Sequence, residues 1–181
     1  MQQVLAVIGQ PGTGKTTLFR EFMSQHAWTM VEPVKLLPCH YCAELDLYVL
    51  GKYEDGELFA GTDRLSLAVQ PAAVEFLKNT KSNVLFEGDR LGTSSFLTFL
   101  SEQSGLDFEI FVLRAADATL ANRYKQRGSE QSEQFLSGRR TKVNNIANNL
   151  EFMSLVQELR NETYEDQQLI LGKINNKFKT K

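Results

Sequence analysis

The amino-acid sequence predicts an α/β protein in which helices cover both faces of a mostly parallel central sheet. Uninterrupted apolar runs, at residues 4–8 and at 84–86 within the strand expected over 83–86, are typical of strands that are buried on both faces. The first run is followed by residues 16–25, where apolar side chains recur at helical spacing. Strands that alternate with helices in this way indicate β–α–β units and a three-layer fold.

The length and composition of the chain are those of one globular domain. It has 181 residues, 42% of them hydrophobic and 23% charged, which is enough to bury a core without disulfides. The net charge of −2 provides no global basic field for nucleic acid but leaves open a local basic face. The first apolar run is too short for a signal peptide or a membrane span. We therefore expect a single cytoplasmic domain over residues 1–181, without membrane association.

The remaining elements are predicted from the same patterns. Strands are expected at residues 34–37, 45–50 and 108–113, with the CHYC segment at residues 39–42 between the first two. Helices are expected from Pro71 onward and at residues 96–100, 118–126 and 143–159. Thr163 and Asp166 resemble a capping box that starts a last helix.

Cys39 and Cys42 are interpreted as ordinary, half-buried cysteines. Two cysteines do not make a disulfide framework. A closed zinc site would need both histidines, His26 and His40, or a carboxylate to converge on the two thiolates, and no second CxxC pattern indicates one. A metal or redox role for the pair is the alternative.

The segment after the first strand matches the phosphate-binding pattern GxxxxGK[ST] in full. It reads Gly9, Gln10, Pro11, Gly12, Thr13, Gly14, Lys15 and Thr16, followed by Thr17. The glycines allow successive backbone N–H groups to point at an anion, and the following helix adds the positive end of its dipole. We expect Lys15 to reach the β- and γ-phosphates of ATP and the Thr16 hydroxyl to ligate Mg²⁺.

The phosphate loop alone does not decide between a kinase, a GTPase switch and a motor ATPase. Residues 89–92 match the DxxG pattern of GTPases, but no NKxD pattern follows, so guanine specificity of that kind is not expected. Motor ATPases usually need a longer chain. A compact kinase therefore fits the length best.

Two acidic segments supply the carboxylates that a kinase needs. Asp63 is the predicted general base, and Arg64 would orient it or hold an acceptor phosphate. Glu87 and Asp89 follow a buried strand, where they would coordinate Mg²⁺ or share the role of the base. The choice of base among Asp63, Glu87 and Asp89 stays open, because both segments also suit ordinary turns.

A basic segment is expected to cover the transferring phosphoryl group. Its members are Arg114, Arg123, Lys125, Arg127, Arg139, Arg140 and Lys142. Arg123 and Arg127 share one helical face, since they are four residues apart. We expect a helical lid over about residues 123–142, with Arg127 catalytic and Arg123 in contact with the nucleotide. The same segment also suits a polynucleotide backbone.

Several segments resemble the P-loop DNA kinases of bacteriophages. They are LGKY at residues 50–53, FAGTDRLS at 59–66, AVQP at 68–71, FEGDRL at 86–91 and, in the lid, GRRTK at 138–142. The resemblance covers most of the chain and is weakest at residues 23–36 and after residue 173. It implies a P-loop kinase fold with ATP as donor. It also implies a DNA partner, since the acceptor would be the hydroxymethyl group of 5-hydroxymethyluracil in phage DNA, with Asp63 beside that hydroxyl.

The acceptor is the least determined part of this prediction. A base within duplex DNA would have to be flipped out, and Tyr41, Tyr48, Tyr53 and Phe59 are candidates for an aromatic pocket, although they also suit a core. A more distant resemblance to polynucleotide and deoxynucleotide kinases makes a deoxynucleoside or its monophosphate the alternative acceptor. That alternative fits the net charge better. A nucleotide-dependent switch without an acceptor is a third hypothesis. Residues 161–163 are expected near the adenine, by position alone.

Overall fold

The computed structural model describes residues 1–57, 60–128 and 131–179. Within these ranges the strands are β1 (Gln2–Gly9), β2 (Thr29–Val34), β3 (Leu37–Cys42), β4 (Leu47–Leu50), β5 (Asn83–Glu87), β6 (Leu106–Arg114) and β7 (Val156–Arg160). The helices are α1 (Lys15–Met23), α2 (Val69–Asn79), α3 (Ser94–Ser101), α4 (Asp117–Gln126), α5 (Glu133–Ala147) and α6 (Tyr164–Lys177). Short 3₁₀ helices lie at Thr62–Arg64 and Leu150–Phe152.

The described strands form one sheet in the order β2–β3–β4–β5–β1–β6–β7. Neighbouring strands from β4 to β7 pair in parallel, whereas β2 and β3 are added antiparallel at one edge. β1 lies inside the sheet, with β5 on one side and β6 on the other. The predicted mostly parallel sheet is confirmed.

Helices cover both faces of this sheet. Successive side chains of β1 point to opposite sides, so the strand contributes to two separate cores. Val4, Ala6 and Ile8 belong to one apolar core, together with residues of α2, α3 and α5. Leu5 and Val7 belong to a second core, together with residues of α1 and α6. The three-layer α/β fold is therefore confirmed as well.

The predicted strand at residues 34–37 is wrong. Residues 35 and 36 form the turn between β2 and β3, and the CHYC segment belongs to β3 instead of separating two strands. Leu36 has a φ of 73°, a left-handed conformation that is uncommon for leucine. The turn therefore lacks the residue types from which turns are usually predicted.

Cys39 and Cys42 point to opposite faces of the sheet, since they are three residues apart on one strand. Cys39 belongs to the core of α2 and Cys42 to the core of α1. Both are free thiols and are fully buried, not half-buried as predicted. Burial raises the pKa of the Cys39 thiol to about 12. The two sulfurs therefore cannot share a disulfide or a metal ion.

The helix predicted over residues 143–159 is wrong in its second half. Helix α5 ends at Ala147, and strand β7 follows at Val156–Arg160. Leu150 and Met153 are 82% and 71% exposed, although helical spacing placed them on the apolar face. β7 pairs in parallel with the end of β6, and this long-range pairing overrides the local helical pattern.

The last helix begins as predicted. The Asp166 N–H donates to Thr163 Oγ1 at 3.1 Å, and the Thr163 N–H donates to the Asp166 carboxylate at 3.2 Å, which completes a capping box. None of the helices in the described ranges is long and apolar enough to cross a membrane.

Candidate active site

The glycine-rich loop lies at the carboxyl end of β1, directly before α1. Gly12 and Gly14 have φ angles of 80° and 88°, which favour glycine. A Cβ atom on Gly12 would lie 2.8 Å from the Tyr124 ring, and one on Gly14 would lie 2.6 Å from the Asn161 amide nitrogen. These two glycines are thus required by the backbone conformation and by the close packing around the loop.

Three side chains hold the loop from outside by donating hydrogen bonds to its carbonyl oxygens. The Tyr124 hydroxyl donates to Pro11 O at 2.6 Å, Arg123 Nη1 to Gly12 O at 2.8 Å, and Asn161 Nδ2 to Thr13 O at 2.7 Å. Because these carbonyls are already satisfied, backbone N–H groups of the loop are the polar groups that can point at an anion, although the Thr13 N–H donates to Gln10 O at 3.3 Å.

Arg123 connects the loop to two distant elements. Its guanidinium also donates to the backbone carbonyls of Asn161 and Glu162, at 3.1 Å each, so it joins α4 to the loop and to the segment after β7. The predicted contact between Arg123 and the nucleotide stays a prediction. Sequence reasoning missed the role of Asn161, because this residue is 148 positions from Thr13 and follows a strand that was not predicted.

Lys15 and Thr16 project toward the centre of the site. Lys15 Nζ donates to Gly9 O at 2.8 Å and to Gln10 O at 3.2 Å, so its ammonium group lies against the loop. The Thr16 hydroxyl donates to Glu87 Oε1 at 3.0 Å. Thr17 is exposed on the first turn of α1, and its predicted nucleotide contact stays a prediction.

Glu87 is a buried carboxylate at the end of β5, only 2% exposed. Burial raises its pKa to about 7, although the nearby Lys15 ammonium lowers it. Its Oε1 accepts hydrogen bonds from Thr16 and from the Tyr53 hydroxyl, the latter at 3.2 Å. Burial and the proximity of Glu87 in turn raise the pKa of Tyr53 well above its usual value. A hydroxyl and a carboxylate that converge in this way are hard oxygen ligands, which fit Mg²⁺.

Asp63 lies in the Thr62–Arg64 turn, and two hydrogen bonds hold this turn against the end of β5. The Thr62 hydroxyl donates to Glu87 O at 2.6 Å, and the backbone N–H of Asp89 donates to Asp63 Oδ1 at 2.7 Å. Gly88 permits this approach, since its φ is 103° and a Cβ atom there would lie 2.9 Å from Asp63 Oδ1. The structure thus brings Asp63, Glu87 and the phosphate loop together.

Of the other predicted site residues, some line the cavity and some do not. Arg64 pairs with Glu54 and does not line the cavity, so its predicted catalytic role stays a prediction. Asp89 does line the cavity, where its Oδ2 lies 2.9 Å from Arg139 Nη1. Lys142 Nζ donates to Asp89 O at 3.0 Å. Two cations of α5 therefore contact Asp89, a connection that the sequence did not indicate.

A cavity of about 450 Å³ lies between the loop, these acids and the basic segment. Among its lining residues are Lys15, Thr16, Asp63, Glu87, Asp89, Arg90, Tyr124, Arg127, Phe135 and Arg139. The Arg139 guanidinium carbon lies 4.7 Å from the centroid of the Phe135 ring, which is 39% exposed. The cavity thus combines a phosphate-binding loop, carboxylates and an exposed aromatic ring.

Of the aromatic residues that were predicted to form a pocket for the base, those that the structure describes do not line this cavity. Tyr41 and Tyr48 pair with each other on the β3–β4 hairpin, with ring centroids 4.5 Å apart, and neither lines the cavity. Tyr53 does not line the cavity either, and it contacts the site through its hydrogen bond to Glu87. Phe59 lies outside the described residues, as do residues 129 and 130 of the predicted lid.

The fold and this site define a phosphotransferase of the P-loop class: a nucleotide-phosphate loop between β1 and α1, with acids at the end of the neighbouring strand. The chain belongs to the family described as P-loop Nucleotide Kinase3, whose model matches residues 1–158. It is a P-loop kinase.

One solved structure and the curated proteins complete the comparison. The structure is similar to that of a gluconokinase from Sinorhizobium meliloti 1021, with a TM-score of 0.49 and 13% sequence identity. The match covers 96% of this chain and 94% of that one. Among curated proteins, none matches this sequence significantly.

Proposed function

We propose that this kinase transfers the γ-phosphate of ATP to the hydroxymethyl oxygen of 5-hydroxymethyluracil in phage DNA. The observation that carries the proposal is the cavity that Asp63 and the Phe135–Arg139 pair line together with the phosphate loop. The resemblance of residues 59–66 and 86–91 to phage DNA kinases supports the choice of acceptor.

The donor side of the cavity fits a triphosphate. The loop's N–H groups and Lys15 would bind the phosphates, with the Lys15 ammonium exchanging its carbonyl partners for phosphate oxygens. Thr16 and Glu87 would hold Mg²⁺, which supplies positive charge to the phosphoryl oxygens when it is bound. Arg127, which lines the same cavity, would add a second protein cation from the lid.

Asp63 would act as the general base. Its Oδ1 is held by the Asp89 N–H, and its Oδ2 accepts no hydrogen bond from the described residues. In the proposed reaction Oδ2 takes the proton of the acceptor hydroxyl while that oxygen forms a bond to the γ-phosphorus. The bond from phosphorus to the β–γ bridging oxygen breaks, and ADP leaves with its electron pair.

The Phe135–Arg139 pair supports a planar acceptor. Arg139 contacts the Phe135 ring and also Asp89, whose N–H holds Asp63. The aromatic ring is therefore connected through Arg139 to Asp89 and, through the Asp89 N–H, to Asp63. Aromatic rings and guanidinium planes stack on unpaired bases, as a flipped-out or single-stranded base requires.

A deoxynucleoside or its monophosphate is the second candidate acceptor, and the electrostatics of the lid favour it. Arg139 and Lys142 pair with Asp89, and Arg140 pairs with Asp117. These pairs reduce the positive charge that the lid offers to a polynucleotide backbone. The net charge of −2 acts in the same direction.

Transfer of labelled γ-phosphate from ATP to parallel acceptors tests the proposal. The acceptors are hydroxymethyluracil-containing DNA, the same DNA with thymine, and a panel of deoxynucleosides and their monophosphates. Label in the modified DNA alone supports the proposed acceptor, and label in a mononucleotide alone replaces it with the second candidate. ATP hydrolysis without any labelled acceptor would instead indicate a nucleotide-dependent switch.

Salt dependence distinguishes a DNA acceptor from a small one in the same assay. The apparent affinity for DNA should fall by about 0.9 log units per log unit of salt for each phosphate that the protein neutralises. A mononucleotide acceptor should show a much smaller slope.

A further inference from the structure

Three metal-ligating side chains converge beyond the end of α1, outside the candidate active site. His26 follows that helix, Cys42 ends β3, and Glu44 lies in the turn after β3. A ring nitrogen of His26, Cys42 Sγ and a Glu44 carboxylate oxygen all lie within 4.8 Å of one another. His26 Nδ1 is 3.4 Å from Glu44 Oε2.

The chemistry of this set selects a particular kind of cation. A thiolate, an imidazole nitrogen and a carboxylate oxygen are the ligands of tetrahedral zinc sites, whereas Mg²⁺ and Ca²⁺ prefer oxygen alone. Three protein ligands leave the fourth tetrahedral position to water. The CxxC pattern is not the basis of this set, because Cys39 lies on the opposite face of the sheet.

The surroundings orient the ligands and leave a path for the ion. The His26 ring packs against Phe22 and Trp28, with centroids 5.6 Å and 6.4 Å away, and the Trp28 indole is fixed by a 2.8 Å hydrogen bond to Met23 O. Cys42 is 1% exposed, so the sulfur lies at the inner end of the set. The Glu44 side chain is 69% exposed, so an ion can enter from that side.

We propose that His26, Cys42 and Glu44 bind one zinc ion and thereby connect the end of α1 to the β3–β4 turn. Binding breaks the Cys42 S–H bond, forms a zinc–sulfur bond and releases the proton to solvent. The ion would lie just beyond the carboxyl end of α1, the helix that begins at the phosphate loop, and so would be outside the candidate active site.

Cobalt substitution tests the site with a signal that only a thiolate ligand gives. The full chain is stripped with a chelator, kept reduced with a phosphine and titrated with Co²⁺, then with Zn²⁺. We expect one equivalent of Co²⁺ to produce a sulfur-to-metal charge-transfer absorption band, and one equivalent of Zn²⁺ to remove it. Co²⁺ in the oxygen-lined Mg²⁺ site gives no such band, so the two sites are distinguished.

Two cysteine variants provide the matched comparison. Cys42→Ser should lose the band, while Cys39→Ser, which alters the other buried thiol on the opposite face, should keep it. Glu44→Gln should keep the band and weaken Zn²⁺ binding at least about tenfold, measured by competition with a chelating dye. Because Glu44 is exposed, this variant also tests the proposal if either cysteine variant fails to fold.

The proposal is overturned if the wild-type chain shows no charge-transfer band. It is equally overturned if Glu44→Gln binds Zn²⁺ as tightly as the wild type, or if a folded Cys42→Ser keeps the band. Each of these results would reduce the cluster to a His26–Glu44 ion pair beside a buried thiol.

Discussion

The Thr16 hydroxyl donates a 3.0 Å hydrogen bond to Glu87 Oε1, which joins the phosphate loop to the end of strand β5. These two residues are 71 positions apart in the chain. Parallel pairing of β1 with β5 brings them together, because both strands end at the same edge of the sheet. The fold thereby creates an oxygen-rich site beside Lys15.

Burial of Glu87 predicts an unusual dependence of stability on pH. Its folded pKa of about 7 is above the ordinary value of 4.5, so the folded state binds more protons than the unfolded state in this range. The free energy of unfolding should therefore fall as pH rises from 4.5 to about 7, by at most on the order of 3 kcal/mol. Urea unfolding with chelator and without nucleotide measures it.

The matched variants for this measurement are Glu87→Gln and Glu75→Gln. The first should remove the fall in stability between these pH values, since the Glu87 carboxyl is no longer there to ionise. Glu75 is exposed on α2, so the second should keep the fall. An identical pH profile for the wild type and Glu87→Gln would show that the buried carboxyl does not titrate as argued.

Replacement of Lys15 by alanine should abolish phosphoryl transfer. The transferring phosphoryl group loses a fixed cation, and loss of one such stabilising group costs about 10²–10³-fold in kcat. Steady-state kinetics with labelled ATP measure the effect, and circular dichroism checks the fold. Lys35→Ala, in the exposed β2–β3 turn, is the control and should keep wild-type kinetics.

Asp63→Asn should leave ATP binding intact while it removes transfer. The asparagine oxygen can still accept the hydrogen bond from the Asp89 N–H, so the turn is expected to keep its position. The amide cannot take the acceptor proton, so kcat should fall by about 10²–10⁴-fold. Equilibrium binding of a fluorescent ATP analogue and turnover are measured on the same sample. Unchanged turnover would move the base to Glu87 or Asp89.

The parts of the protein that were predicted from sequence depend on local signals. The phosphate loop is recognised from eight consecutive residues. The strands β1 and β5 are recognised from short apolar runs, which indicate buried strands without any knowledge of their partners. Glu87 and Asp89 could be proposed because they follow such a run, and Asp63 because it lies in a Gly-Thr-Asp-Arg segment before a predicted helix. All three do line the cavity.

The parts that were not predicted depend on long-range contacts. Strand β7 has a weak apolar pattern of its own and exists by pairing with β6. Asn161 reaches the loop only because β7 ends beside it, and Arg139 reaches Asp89 only because α5 packs over the sheet. None of these contacts is encoded in the spacing of neighbouring residues, so a single sequence could not reveal them.

Phe135 provides the sharpest test of a base as acceptor. If the acceptor base stacks on this ring, Phe135→Leu should raise KM for the acceptor by roughly 5–150-fold, which corresponds to about 1–3 kcal/mol of stacking. In the proposed reaction the ring contacts the acceptor, toward which Arg139 connects it to Asp89, so the KM for ATP should change little. Phe135→Tyr keeps a ring and should keep an acceptor KM near the wild-type value. Equal acceptor KM values for the leucine and tyrosine variants would exclude stacking on this ring and leave Asp63 and the lid cations as the acceptor contacts.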